Sequence, residues 1–362
     1  MRQQHVSIQL LCVVSLLLMS ACTPRQPTPV KPSPTQPPPP TVTLPPPPTQ
    51  PPPPTVTPPP PTATSVPEVC RARPVATGKA PGSNEQQPGG NRLRIARSDE
   101  MKAWQVDAGS LIDQAATPSL TISPTGMPLL YMTAHAINGT QDGFAVSVGD
   151  AEGRTWRHCY AERINFPTGF MGVDPDVVRV ADQQYRIYLT GGLRTGERKL
   201  GIHYADSTDG ITWQYGGIAF ESDDSVIDSM TFKLGDTWHM YVLPIDGIDM
   251  IHATSSDGIS FVKESRANRI IARRPHVLSH ALIETTDATS AIVMAFEPPG
   301  RGVTMAFTSD GTTFQSAPDT INPIIDVADG DARFTRDPAI LSFGPNNGMN
   351  YPYLVVYATA IP

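Results

Sequence analysis

Five copies of one short motif, about fifty residues apart, constrain the fold of this chain more than any other feature. They are Ala96-Arg97-Ser98-Asp99 ending at Trp104, Ser147-Val148-Gly149-Asp150 ending at Trp156, Ser207-Thr208-Asp209-Gly210 ending at Trp213, Ser255-Ser256-Asp257-Gly258 ending at Phe261, and Thr308-Ser309-Asp310-Gly311 ending at Phe314. The closing aromatics are separated by 52, 57, 48 and 53 residues. A period of this size belongs to a solenoid, a propeller or an array. Asp-Gly between alternating apolar runs supplies the positive φ of a tight hairpin, and Ser, Thr and Asp side chains can bond the turn's own amides. The closing ring is large enough to bury between neighbouring units.

Upstream of the second to fifth hairpins, and again at the carboxyl end, lie pairs of apolar runs. The first of each pair covers Ser119 to Ile122, Val177 to Val180, Met230 to Leu234, Ala281 to Ile283 and Ala339 to Leu341. The second begins at Leu129, Tyr185, Trp238, Ala291 and Tyr353. Two inner strands and an outer hairpin make the four-stranded unit of a propeller blade. The chain opens on an outer hairpin at 92–104 without inner strands and closes on inner strands at 337–360 without a hairpin. Together these ends complete one unit and leave no unpaired sheet edge. The expectation is an all-β, five-bladed β-propeller over 92–362, with a linear β-solenoid as the alternative.

The repeat resembles the Asp-box of sialidase-type propellers, although the first copy lacks the Gly and the second carries extra residues. An Asp-box is structural in most settings, so its acids are not assigned catalysis. A sialidase would imply six blades, an arginine triad and a Tyr nucleophile, which fits this pattern poorly.

Residues 1–21 and Cys22 resemble a bacterial lipoprotein signal: Met1-Arg2, an apolar run from Ile8 to Met19, then Met19-Ser20-Ala21-Cys22. Lipidation of Cys22 is expected, with the chain held at the bacterial cell envelope, facing the periplasm or exterior. Residues 24–67 hold 22 of the 40 prolines and only two charges, Arg25 and Lys31. Such a segment cannot bury a core and runs as extended polyproline, reaching about 130 Å at ~3.1 Å per residue. The expected organisation is a signal over 1–21, an attachment site and disordered stalk over 22–67, a connecting segment over 68–91 and the propeller over 92–362.

A net charge of -7, with no basic stripe in the folded part, argues against nucleic acid. With Cys12 lost with the signal and Cys22 lipidated, Cys70 and Cys159 remain, and in an exported protein they are expected to form one disulfide. The only membrane contact expected is the lipid anchor, and a monomer is expected.

In an up-down meander the start of each innermost strand shares a face with the loop between second and third strands, while the Asp-box turn lies on the other face. Aligning the inner strands on their second-strand aromatics places Thr117, Asp174, Asp228, Ser279 and Asp337 at equivalent positions around the centre. Three carboxylates converging from separate blades repel one another unless they share protons or a cation, an arrangement with no structural need. The adjoining loops add His135, Arg194, Asp246 and Glu297, and Arg273, Arg274, His276, His280 and Arg336 lie just before inner strands, within reach of the channel. No cofactor is required by this set; a Ca²⁺ ion where carboxylates and His280 converge is the alternative.

Val173-Asp174-Pro175-Asp176 and Arg336-Asp337-Pro338-Ala339 in a five-bladed frame resemble the arabinanase, xylosidase and invertase type of glycoside hydrolase. That resemblance implies three pocket acids: an Asp base or nucleophile, an orienting Asp and a Glu proton donor. Asp174 and Asp228 match the two Asp positions in order, while Ser279 stands where the Glu is expected and Glu297 is the substitute. The reading is a glycan-active protein with Asp174, Asp228 and Glu297 catalytic, and Asp337, Arg336, His280, His135 and Asp246 binding a carbohydrate. The rivals are a non-catalytic carbohydrate-binding propeller, a sialidase-like enzyme and a protein-interaction scaffold.

Overall fold

The computed structural model describes residues 70, 72–84, 87–135, 143–193, 199–245, 250–264, 276–284, 290–297, 302–325, 335–343 and 351–362, which belong to one compact unit, Pro61–Pro362. Cys22, Arg194, Asp246, Arg273, Arg274 and the stalk lie outside the described residues, as do the side chains of His276, His280, Ser279 and Glu297.

The described strands form five sheets, antiparallel except where Glu162–Ile164 adds in parallel to Thr212–Phe220. Four are self-contained blades, each drawn from one stretch of chain. Their innermost strands are Ala115–Ile122, Phe170–Ala181, Val226–Leu234 and His276–Glu284. Their second strands are Pro128–Ala134, Gln184–Leu193, Thr237–Pro244 and Ser290–Glu297. The remaining sheet is composite. Thr335–Ser342 and Tyr353–Ala360 supply its inner strands, and Asn91–Ser98 pairs with Tyr353–Ala360 in unbroken antiparallel register from Asn91↔Ala360 to Ser98↔Tyr353. Only four blades are thus continuous, one fewer than the expected five, because the last place is filled by strands from opposite ends of the sequence.

The innermost strands touch one another in succession, and Thr335–Ser342 of the composite sheet touches both His276–Glu284 and Ala115–Ile122. Apolar side chains fill the seams between these sheets. Leu129, Tyr131 and Phe144 of the first blade meet Val177, Ile187 and Trp213 of the second. Leu93 and Val356 of the composite sheet meet Leu120 and Leu130 of the first blade, and Val355 meets Met305 of the fourth. This sheet-on-sheet burial is the cohesive term of the fold.

The Asp-box repeats build the outer turns as their chemistry dictates. The Ser207 hydroxyl oxygen accepts from the Gly210 N–H at 2.8 Å, and Asp209 Oδ1 accepts from the Ile211 and Thr212 N–H groups at 2.7 Å each. The same bonds recur around Ser255 and Asp257 and around Thr308 and Asp310. Backbone N–H groups of Ser260 and then Ile259 hold the Asp257 carboxylate below its ordinary range, so this acid is consumed by its own turn. The Gly carbonyl of each turn accepts from a Tyr of the preceding blade: Tyr131 to Gly210 at 2.5 Å, Tyr188 to Gly258 at 2.6 Å and Tyr241 to Gly311 at 2.6 Å. Each Tyr also meets the closing aromatic edge-on, at centroid distances of 5.6 Å to Trp213, 5.9 Å to Phe261 and 5.6 Å to Phe314. Cys70 is disulfide-bonded to Cys159, on the outer strand Trp156–Tyr160 of the first blade.

Candidate functional site

One backbone irregularity positions the central acids. In the first, second, third and composite sheets, two residues of the innermost strand oppose one of its neighbour, and the first of each pair has positive φ: Thr117 at 47°, Asp174 at 50°, Asp228 at 54° and Asp337 at 50°. This is a β-bulge with a left-handed first residue, a device that re-aims a side chain out of the ladder. Non-glycine residues rarely occupy this region, although Asp tolerates it better than most. The backbone strain recurs at the one level of the fold where carboxylates converge.

The fourth blade corrects the expected alignment. Its ladder runs from His276↔Glu297 to Leu278↔Phe296 and Ser279↔Ala295, so Val277 is the inserted residue. Val277 therefore holds the place of Asp174 and Asp228, and Ser279 is two positions further, level with Ser119 and Asp176. The slip has a physical cause. The second-strand aromatic that marks this place in the first three blades, Tyr131, Tyr188 or Tyr241, is replaced here by Ala295, opposite Ser279.

The bulges are tied from blade to blade. The Asp174 N–H donates to Thr133 Oγ1 of the first blade at 2.9 Å, and the Asp228 N–H donates to Thr190 Oγ1 of the second at 3.0 Å. Thr117 donates to the same Thr133 oxygen at 2.8 Å. Thr133 and Thr190 are buried, at 3% and 1% exposure, so each hydroxyl is fixed by its surroundings. Both stand one step before the bulge in their ladders, paired with Ala116 and Val173. Glu297 holds the same register place in the fourth blade, paired with His276.

Asp174 and Asp228 are coupled in their titration. Both keep some exposed surface, yet the protein packed around their carboxyls dominates their titration. Burial pushes Asp174 up to about 6, the charge of Asp337 adds to the rise, and the Thr190 and Thr117 hydroxyls and Asp228 pull it back. Asp228 is raised well above the ordinary carboxylate range, first by burial and then by the charges of Asp174 and Asp337, with Arg336 offsetting part. The two carboxyls therefore titrate as one coupled pair, both held above the ordinary carboxylate range chiefly by burial. Arg336 Nε lies 3.4 Å from Asp337 Oδ2, and Asp337 is buried.

Sequence reasoning missed Thr133, Thr190 and Asp176. Burial pushes Asp176 up to about 8, only partly offset by Thr231 and Ser229 of the third blade. Its period-two spacing from Asp174 was the available signal. His135 follows the second strand of the first blade, with Nδ1 buried and without a hydrogen-bond partner among the described residues. His280 pairs with Met294 well inside its ladder. Among the described residues, no group of three or more His, Cys, Asp or Glu side chains is arranged to hold a metal ion.

No protein-family profile matches this chain, and no curated protein matches it. Solved structures do align with it. One is Zg3597, a family 117 glycoside hydrolase of the marine bacterium Zobellia galactanivorans, 14% identical over 79% of this chain and 89% of that one, with a TM-score of 0.42. A thermostable family-43 glycoside hydrolase is 15% identical over 67% and 88%, with a TM-score of 0.47. An N-acetylgalactosamine deacetylase from F. plautii, in complex with blood group B trisaccharide, is 11% identical over 75% and 96%, with a TM-score of 0.48. At these scores the likeness carries no argument, and the functional reading rests on the site.

Proposed function

We propose that this protein is a glycan-active five-bladed propeller, with the composite sheet as the fifth blade, acting as a glycoside hydrolase through carboxylates at the centre of the ring. The observation that carries the reading is the coupled pair Asp174 and Asp228, brought from two blades by strained bulges and both raised above the ordinary carboxylate range by burial. Carboxyls with raised pKa values are the equipment of general acid and base chemistry.

Asp174 and Asp228, both raised by burial and by each other's neighbourhood, act as one unit: Asp174 is the base or nucleophile, and Asp228 orients it. The proton donor comes from elsewhere. Glu297 is assigned that role because its register place matches Thr133 and Thr190, whose side chains reach the next blade's bulge. Asp337, Arg336, His135, His280 and Asp246 are assigned to substrate.

The specific test is turnover on arabinan, xylan and fructan oligosaccharides. Asp174→Asn and Glu297→Gln are each expected to lower it at least about a hundredfold, the low end for a general acid or base. Near-normal turnover in both variants rejects the assignment. Val277, an apolar residue at the fourth bulge, favours one second reading: a carbohydrate-binding propeller without turnover. Glycan binding by the wild type with no hydrolysis selects it.

The cellular setting proposed is the bacterial envelope, with lipidated Cys22 as anchor and the proline-rich segment as stalk. Cys22→Ala is expected to move the protein from the membrane fraction to the soluble fraction.

A further inference from the structure

We propose that the second blade carries a separate binding site for a short neutral glycan, at the end of the blade away from Asp174. A cleft of about 470 Å³ opens there beside the Asp-box turn. That size lies within the usual range of small-molecule sites, about 300–1,000 Å³. Its floor is one continuous cross-strand row: Arg186 opposite Asp206, Asp206 opposite Gln214, and Gln214 opposite Ile164. The last place exists because Glu162–Ile164 adds in parallel to Thr212–Phe220, widening this blade by a strand.

The lining chemistry selects the ligand. Arg186 is 7% exposed, and its guanidinium is already committed: Nε donates to Asp206 Oδ1 at 2.7 Å, Nη2 to Oδ2 at 3.3 Å, and Nη1 to the Asp257 carbonyl at 3.1 Å. Arg186 and Asp206 thus cancel in charge and leave little attraction for either an anion or a cation. Besides the Arg186-paired Asp206, whose side chain is 48% exposed, what faces the opening is neutral and polar: Gln184, Gln214 and Thr208 are exposed at its edge. Side-chain amides present a donor beside an acceptor, the pattern that matches vicinal hydroxyls. Ile164, 39% exposed, offers an apolar surface for the C–H face of a sugar ring at the outer end of the row. A neutral oligosaccharide uses both surfaces together.

The experiment is an NMR titration of the Asp174→Asn protein with the neutral trisaccharides of xylose, arabinose, fructose and glucose, so that the central chemistry is silent. At least one is expected to shift the backbone amides of 206–214 and 164. Gln214→Ala combined with Ile164→Ser, both at exposed positions, is expected to weaken that binding at least about tenfold. Two results overturn the site: no trisaccharide moves these resonances, or the double variant binds unchanged. Tighter binding of a charged trisaccharide of galacturonate would contradict the neutral lining. Turnover by the wild type without binding here refutes this site and leaves the central reading standing.

Discussion

The Asp228 N–H donates to Thr190 Oγ1 across the seam between the second and third blades, at 3.0 Å. This bond fixes the amide next to a left-handed Cα, and so the direction in which the Asp228 carboxyl leaves its strand. The Thr190 hydroxyl also lowers the Asp174 pKa. Thr190→Val keeps the shape and removes both effects. It is expected to raise the apparent pKa of Asp174 above about 6 while the protein stays folded. Thr190→Ser, which keeps the hydroxyl, should restore it; an unchanged titration in the valine variant would show that the bond sets nothing at the site.

The latch from Tyr188 to Gly258 predicts a stability order. Tyr188→Phe leaves a buried carbonyl without its donor, a cost of about 1–3 kcal/mol. Gly258→Ala should cost more, since Gly258 sits at φ +70° and a Cβ there would come within 2.8 Å of the Trp238 ring. Denaturant unfolding checks both. A Gly258→Ala protein as stable as the wild type would mean that the turn is not held as described.

Much of this architecture is legible in the primary structure, for identifiable reasons. Asp-Gly with a closing aromatic forces a hairpin locally, and an orphan hairpin at one end needs the orphan inner strands at the other, which is the pairing Asn91–Ser98 makes with Tyr353–Ala360. Asp174, Asp228 and Asp337 share a place because the same two-for-one bulge recurs at the start of each of their innermost strands. Val277 was not legible, because a two-for-one bulge and the loss of a Tyr at Ala295 together erase the alignment mark. Thr133 and Thr190 were hidden too, since their partners lie 41 and 38 residues away in the next blade.

The seam between the third and fourth blades makes the fold sensitive to acid. His239 and His252 stack with ring centroids 5.3 Å apart, bonded Nδ1 to Nε2 at 3.1 Å, and Phe232 stacks on His239. Burial lowers both, and with the neighbouring charge of His239 takes His252 down to about 4. A depressed His stabilises the fold above its unfolded value of about 6.5 and loses that contribution as pH falls toward the folded value. Asp176 acts oppositely: its raised pKa contributes most below about 3.9, the unfolded value, and its contribution is lost as pH rises through about 8. The histidine part is therefore read as a difference. Between pH 6.5 and 4, the wild type should lose more stability than a His239→Phe, His252→Phe double variant. Parallel curves would refute the coupling.

The central claim is that Asp174, Asp228 and Asp337 form one coupled carboxyl centre, and it can be measured before any substrate is known. Carboxyl ¹³C shifts of aspartate-labelled protein, followed from about pH 3 to 9, span the titration of ordinary and raised carboxyls. The account predicts a resonance titrating near 6 that vanishes in Asp174→Asn and moves to lower pH in Asp337→Asn, where the charge that helps raise it is gone. If every aspartate of the wild type titrates at the ordinary value of about 4, there is no coupled centre and the account is wrong.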